Sequence, residues 1–391
     1  PKTEKYRPKQ RLWYIRAKEV IISSGSIERP LVFGNNDTPG VMLSSAAKEY
    51  LKIYGVLVGK KPLVFTNNDS GYETAIEFKK NGVDPIVLDS RKELSSDLIK
   101  EAKSLGINIK FEYVVVNANG YRKVKSADIA KISDDKTTLG KIENIACDCI
   151  CVSGFWTPTI HLASQSGGKT KFNEEIDAFI PSKSKQNETT VGSANGIFNL
   201  QDSLNTSFEV GYNLSKKITK EDNKLSVPTV VEKKNSKHDK FWCVPLPKGK
   251  KYKRFLDFQN DVAVSDIELA IREGYRSIEH VKRYTTLGMA TDQGKTSNLN
   301  GLQLVSNIEN KVVPAVGHTT FRPPYTPISI GAIVGREIGK HSKPTRKSPM
   351  HNWHEKNNAV FVDAGVWLRP RYYKRGNEGL FEASKREAEN V

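Results

Sequence analysis

The chain has 391 residues, enough for two or three domains with cores of their own. Apolar residues make up 37% and no apolar run approaches the roughly 18 to 20 residues of a membrane-spanning helix, so a soluble chain with no membrane partner is expected. A net charge of +17 invites a nucleic-acid reading, but much of the excess sits in poorly patterned lysine-rich stretches without a helix-turn-helix, zinc-finger or RNP motif, so nucleic acid is not expected as a partner.

Three of the four cysteines alternate at Cys147, Cys149 and Cys151 inside the apolar segment 145–152. That spacing reads as one face of a buried strand, because a zinc site needs pairs arranged around an ion. Few cysteines and no charged-then-apolar leader point to a reducing cytoplasm. A start at Pro1 without methionine, and a stop at Val391 within a predicted helix (Gly379 to Asn390), suggest a piece of a longer chain.

In chain order, Leu12 to Ile15 and Ala17 to Ile22 are predicted as short strands, followed by the turn SSGSIERP (Ser23 to Pro30) and a loop from Phe33 to Met42. A helix is predicted over Ser44 to Tyr54. The next stretch runs strand, turn, helix, strand: Pro62 to Phe65, TNNDSG (Thr66 to Gly71), Tyr72 to Asn81, and Pro85 to Leu88 ending on Asp89. That order is a mononucleotide-binding half. A helix at Ser95 to Leu105 and strands near Ile107 to Val116, Tyr121 to Lys125 and Ile145 to Val152 continue it. A strand at Thr189 to Val191 then runs through GSANG into a helix at Leu200 to Lys217. The lysine-rich stretch Lys216 to Lys253 lacks periodicity and reads as a linker or a loose surface excursion. Helices at Ser265 to Glu273, Ser277 to Tyr284 and Asn300 to Ile308, with GMATDQGK (Gly288 to Lys295) between the last two, form a small helical domain.

Three motifs are similar to those of flavoproteins with two dinucleotide-binding domains. Ser23, Ser24 and Gly25 stand where that class has an Ala-Thr-Gly turn, and Pro39, Gly40 and Val41 where a Pro-Gly-Val segment leads into the second domain. TNNDSG takes the place of a GxGxxG fingerprint, with Thr66 and Asn68 replacing two glycines and Gly71 keeping the helix-packing position. Asn67, Asn68 and Asp69 would crowd or repel a phosphate there, so this half is expected to keep the fold without holding a dinucleotide; Asp89 stands where an acid would grip a ribose hydroxyl. In VGSANG (Val191 to Gly196), Ser193 replaces the acid that touches a flavin's ribitol, which leaves a dinucleotide without ribitol as the expected ligand.

The segment from Phe258 to Asn298, FQNDVAVSDIELAIREGYRSIEHVKRYTTLGMATDQGKTSN, resembles the small iron-sulfur domain of amino-acid and opine dehydrogenases. Phe258, Asn260, Asp292 and Ser297 stand where that domain has its cysteines, so the usual two-iron cluster has no ligands. Loss of the ligands on a kept scaffold, together with Ala315 to Glu337, PMHNWHE (Pro349 to Glu355) and GVWLRPRYY (Gly365 to Tyr373), resembles the alpha subunits of heterotetrameric sarcosine oxidases over essentially the whole chain.

This resemblance implies an α/β fold of the two-dinucleotide-binding-domain flavoprotein type (FAD/NAD(P)-binding, Rossmann-like), followed by a small helical domain like the iron-sulfur domain without its cysteines. Residues 1–42 and 145–217 would belong to a first dinucleotide-binding domain lacking its first strand, with 43–144 an inserted second one. Residues 218–254 would be a linker, 255–312 the helical domain, 313–355 a connector, and 356–391 the start of an aminomethyltransferase-like folate domain.

The resemblance further implies oxidative demethylation of sarcosine to glycine with oxygen, giving hydrogen peroxide and formaldehyde or 5,10-methylenetetrahydrofolate. NAD would be held by Gly25, Gly192, Ser193, Asn195, Leu200 and Asp202. FMN at the border with a beta subunit would meet Thr291, Gln293, Gly294, Lys295, Thr319, Thr320 and Arg322. FAD would lie in the beta subunit and tetrahydrofolate in a further C-terminal domain, with beta, gamma and delta subunits as partners and no catalytic or metal-binding residue in this stretch. His318 reads equally as a flavin contact or a hydrogen-bonded turn residue, and His351 and His354 as polar packing, since a metal pair lacks a third ligand. The rival readings are a subunit of a dehydrogenase for another N-substituted amino acid, and a non-catalytic NAD-binding scaffold.

Overall fold

The structure is a computed structural model and describes residues 9–222, 225–231, 235–336 and 338–390. Residues 1–8 of the expected first domain, and 223–224 and 232–234 of the expected linker, lie outside the described residues. The chain divides into two compact units, one of residues 17–327 and the other joining 328–390 to residues 9–16. The predicted strand at Leu12 to Ile15 is irregular instead: Trp13, Tyr14 and Ile15 are exposed, and among the described residues no strand pairs with them to take up their backbone groups.

The larger unit opens with β1 (Val20–Ile22), β2 (Ser26–Glu28) and β3 (Val41–Leu43), which leads straight into α1 (Ser44–Tyr54). There follow β4 (Pro62–Thr66), α2 (Ser70–Lys80), β5 (Ile86–Asp89), α3 (Asp97–Ser104) and β6 (Asn108–Phe111). β7 (Tyr113–Gly120), β8 (Val124–Ile132) and β9 (Leu139–Ala146) form an antiparallel meander before β10 (Cys149–Ser153). Strands β3, β10, β4, β5 and β6, in that order, make a five-stranded sheet whose every pairing is parallel.

Alternation of side chains divides two cores across this sheet. Val64, Val87, Cys149 and Cys151 face α1, α2 and α3, packing on Ala47, Tyr72, Ala75, Phe78 and Ile99. Leu63, Phe65, Leu88, Ile150 and Val152 face the meander and pack on Val114, Val116, Ala127 and Ile129. The predicted single strand Ile145 to Val152 is two strands: the chain breaks at Cys147 and Asp148, whose carboxylate accepts from the amides of Lys60 (2.7 Å) and Lys61 (2.8 Å). Cys149 and Cys151 do share a face, whereas Cys147 packs in the opposite core.

Beyond β10 come β11 (Trp156–Pro158), α4 (His161–Gln165), the hairpin β12 (Lys169–Asn173) and β13 (Ala178–Lys183), β14 (Glu188–Thr190), a 3-10 turn (Gly192–Asn195) and α5 (Leu200–Thr219). β14 pairs in parallel with β1, and β11 antiparallel with β2. No residue of α5 is buried.

The stretch read as a loose excursion is irregular but pinned from residue 235 onward. Phe241, Trp242 and Val244 are buried, Val32 donates to Trp242 O (2.9 Å), and Val244 returns a bond to Val32 O (2.8 Å). The buried apolar residues Phe241, Trp242 and Val244 override the lysine-rich composition around them.

β15 (Phe255–Asp257) and β16 (Val262–Ala263) introduce α6 (Val264–Arg272), α7 (Ile278–Thr285), α8 (Asn298–Ile308) and the short α9 (Val313–Val316). Ile267, Ala270, Ile278, Val281, Leu299, Leu302 and Val305 form their shared core. The smaller unit contains α10 (Ile330–Val334), β17 (Arg346–Lys347), α11 (His351–Lys356), the hairpin β18 (Ala359–Ala364) and β19 (Trp367–Tyr373), and α12 (Leu380–Glu389).

Candidate cofactor sites

Parallel pairing of β1 with β14 sets Ile22 opposite Thr190, so the turns after both strands emerge on the same edge. That edge is where open α/β sheets receive ligands. Gly25 (φ +74°) follows β1 and Gly192 (φ +64°) follows β14, both in the left-handed region that glycine alone enters freely. A Cβ built on Gly25 would lie 3.9 Å from Ser193 Oγ, so the two turns face one another across an open cradle. Asn195 ends the 3-10 turn that begins at Gly192. Leu200 and Asp202 belong to the first turn of α5, where Asp202 N donates to the Asn199 side chain (2.8 Å). That cap and the Asp202 charge make the start of α5 a poor phosphate site. Gly25, Gly192 and Ser193 leave open space between the two turns, and the Asp202 amide is already spent on Asn199.

The turn after β4 is occupied by the protein's own groups. Asn68 Nδ2 donates to Ser153 O (3.0 Å), and Asn67 Nδ2 reaches Asp239 O (3.0 Å) and Phe241 O (3.1 Å). Asp69 accepts from Ser236 N and Ser236 Oγ, both at 2.6 Å, and from Arg91 Nη2 at 2.9 Å. Asp89, the expected ribose acid, takes Arg91 Nη2 (2.8 Å) and the Tyr72 hydroxyl (2.7 Å) instead. Burial opposes the charge on Arg91, and Asp89 and Asp69 more than offset it, holding the guanidinium above its ordinary range. A Cβ on Gly71 would sit 2.6 Å from Thr66 Cβ, so the close helix-strand packing read at this position is present.

The four places where the related iron-sulfur domain has cysteines lie on two loops bound to each other. Buried Asp257 accepts from Gln259 N (2.9 Å), Asn260 N (3.1 Å) and Gly288 N (2.8 Å). Asn260 Nδ2 donates to Thr286 O (2.9 Å), and Thr291 Oγ1 to Gln259 Oε1 (3.2 Å). Gly288 and Gly294 have positive φ, and a Cβ on either would meet Asn298 Oδ1 at 2.0 and 2.2 Å. The loop is therefore wound around the Asn298 side chain and tied down by the Asp257 carboxylate. Phe258 instead lines an apolar cleft of about 350 Å³ with Leu31, Met42, Leu43 and Val152.

Around this loop the expected FMN-bordering residues divide. Gly294, Lys295 and Thr319 line a narrow cavity of about 40 Å³ with His161, Phe179, His318 and Phe321. Thr320 and Arg322, next in sequence to the lining residues Thr319 and Phe321, are exposed, as is Thr291, and Gln293 Oε1 accepts from Arg322 N (3.4 Å). Lys295 Nζ donates to Tyr325 O (2.5 Å) and lies 4.2 Å from that ring's centre; burial lowers its pKa. His318 bonds Thr170 (2.5 Å) and the Thr319 carbonyl (2.9 Å), the hydrogen-bonded turn role.

Sequence reasoning passed over His161, although it lies in the quoted segment after β10. Its ring sits 4.0 Å from that of Phe321, and among the described residues neither nitrogen makes a hydrogen bond of ordinary geometry. Burial, aided by the Lys295 charge, pushes it down to about 4 against a weak pull from the Gln293 backbone. The Thr319 hydroxyl is also buried without a partner among the described residues. Two orphaned polar groups in one cavity fit a ligand edge. The cavity itself is too small for a flavin ring, so only a ring lying along the rim suits this chain.

In the smaller unit His354 Nδ1 bonds the Tyr373 hydroxyl (2.6 Å) and His351 packs on Phe361 with ring centres 4.7 Å apart. Among the described residues no helix is long and apolar enough to cross a membrane, and no three His, Cys, Asp or Glu side chains are arranged to hold a metal.

Comparison with known proteins gives these features a family. The profile of the sarcosine oxidase A3 domain matches residues 251–336. Sarcosine oxidase subunit alpha of Rhizobium meliloti (strain 1021) is 39% identical over 391 residues, covering 98% of this chain and 38% of that protein. The subunit alpha of Corynebacterium sp. (strain U-96) is 35% identical over 394 residues, covering 98% and 40%. The chain thus spans about two fifths of the length of these curated relatives. The crystal structure of L-proline dehydrogenase from P. horikoshii superposes with a TM-score of 0.51 at 21% identity, over 81% of this chain and 58% of that one, a likeness of fold. The matched A3 domain and the alignment over nearly the whole of this chain agree: the chain is homologous to a stretch of the sarcosine oxidase alpha subunits.

Proposed function

We propose that this chain is the dinucleotide-binding part of a sarcosine oxidase alpha subunit, holding NAD at the facing turns of β1 and β14 and bordering an FMN shared with a beta subunit. The observation that carries the NAD reading is the apposition of left-handed Gly25 and Gly192 with Ser193 in place of an acid. Without Cβ atoms both turns leave room for a ligand's ribose and pyrophosphate to approach the backbone. Ser193 adds a neutral hydroxyl, and Asn195 an amide from the same turn. The two-stranded pairing of β1 with β14 and the uncovered α5 support a first nucleotide domain completed by another segment of the full subunit.

When bound, NAD supplies a dinucleotide with a hydride-accepting ring, and FMN an electron carrier. Toward FMN, Thr320, Arg322 and Thr291 offer hydroxyl and cationic donors at the rim. Behind them His161, kept neutral near pH 7 by burial, and Thr319 present unpaired polar atoms, while Gln293 steadies the Arg322 backbone. The full reading includes oxidation of sarcosine to glycine with oxygen, FAD in a beta subunit, tetrahydrofolate in a further domain, and gamma and delta partners in the cytoplasm. Replacing Arg322 with Ala in the complete complex should lower FMN content while FAD content holds; an unchanged FMN-to-FAD ratio removes Arg322 from the site.

A further inference from the structure

The smaller unit carries a groove of about 880 Å³ between residues 9–14 and residues 331–336. Trp13, Tyr14 and Ile333 line it and are 70%, 91% and 63% exposed, so this chain leaves the groove unfilled. Close by in sequence, Ile15, Ile330 and Ile338 are exposed as well. The two sides are tied together by Ser329 Oγ, which donates to Gln10 Oε1 while it caps α10 by accepting from Ala332 N (3.2 Å). The charged lining is of one sign: Lys9, Arg11 and Arg336, with no carboxylate beside them in the wall. Among the described residues none of these three cations forms an ion pair.

We propose that this groove seats a stretch of a partner subunit in which Asp or Glu residues flank apolar side chains. The inference rests on homology to proteins named subunit alpha, a name that implies other subunits, and on neither cofactor reading. Large apolar side chains gathered in water mark interaction sites, and aromatic residues and arginine are those that interfaces concentrate. Three cations without counter-ions favour a partner that brings carboxylates, since like charge brought to the same place is repelled. A second copy of this chain, itself at +17, is the wrong partner on that ground. The irregular backbone of residues 11–15, paired with no strand among the described residues, also leaves amides and carbonyls for a partner's backbone.

The test places the photoreactive residue p-benzoylphenylalanine at Tyr14, and separately at Ile333, in the complete complex, and identifies the cross-linked peptides by mass analysis after irradiation. The expected product joins both positions to one stretch of a separate subunit that contains Asp or Glu. Arg11→Glu and Arg336→Glu should each weaken retention of that subunit at least about tenfold in sedimentation measurements, with Arg11→Lys retaining it. Cross-links to another part of the same subunit or to a second copy overturn the proposal, as does a partner stretch without carboxylates. Absence of cross-links from both positions, or full retention of the partner in both charge reversals, overturns it as well. Neither readout involves a cofactor, so failure here leaves the NAD and FMN readings standing.

Discussion

Arg91 and Asp69 are joined by a buried ion pair of 2.9 Å at the turn where a working dinucleotide domain would admit phosphate. Both side chains are almost fully buried, and Asp89 shares the same guanidinium at 2.8 Å. Removing one partner of a buried pair leaves uncompensated charge, which costs about 3–5 kcal/mol. Arg91→Ala should therefore destabilise the larger unit by about that amount, read from the urea midpoint. A loss below about 1 kcal/mol, the range of surface pairs, would contradict the burial assigned to it.

The same carboxylate holds the irregular segment that follows α5. Asp69→Asn keeps the shape of the turn but loses one charged acceptor for Ser236 and Arg91. Amide hydrogen exchange at residues 235–239 should rise about tenfold or more, in line with a lost charge-assisted bond of about 1.5–3 kcal/mol. Unaltered protection there would show that Phe241 and Trp242 alone hold the segment down.

Gly71→Ala tests the packing of α2 on β4. The added methyl meets Thr66 Cβ at 2.6 Å and Oγ1 at 2.7 Å, and both belong to a buried residue. Overpacking of this kind costs about 1–3 kcal/mol. The paired variant Gly71→Ala with Thr66→Ala removes the Oγ1 at 2.7 Å and the Cγ2 at 3.1 Å and should recover part of the loss in thermal unfolding.

His161 gives the larger unit an acid limb. Its folded pKa is depressed to about 4 from 6.5, so above pH 6.5 folded and unfolded forms are equally neutral. As pH falls through 6.5 the unfolded state takes up the proton first, and stability is lost until the folded group titrates near 4. For a side chain this buried the loss is on the order of 3 kcal/mol. His161→Phe should flatten the stability profile between pH 6.5 and 4; the same slope in the variant would assign the acid limb to other groups.

The elements legible in the sequence were those with a local cause. Helix α1 was readable from the periodic burial of Ser44, Ala47 and Leu51 and from Gly55, which closes it at φ +65°. The parallel strands β4 and β5 were readable as short apolar runs with turn residues between them. The strands β8 and β9 were mostly missed, because β9 is half-exposed and rich in charged residues, with nothing but its pairing to β8 to define it. Residues 235–244 were misjudged for a related reason: their order comes from Asp69, Arg91, Asn67 and Val32, all more than a hundred residues away in sequence.

Of the turn residues after β1 and β14, Gly25 and Gly192 were readable because a left-handed turn leaves glycine in the sequence. Arg91 was not, since its role depends on two carboxylates converging from separate turns. His161 was equally hidden, because what singles it out is an unpaired ring against Phe321.

The most direct test of the NAD reading is the cofactor inventory of the complete complex with and without Gly192→Val. A side chain at Gly192 would be strained at φ +64° and would crowd Ser203 Oγ at 3.2 Å, disturbing the cradle while leaving the rim at Arg322 untouched. The account predicts that mass analysis of released cofactors finds NAD with FAD and FMN in the unaltered complex, and that the variant loses NAD while keeping both flavins. Full retention of NAD in the variant, or loss of FAD in its place, would contradict it.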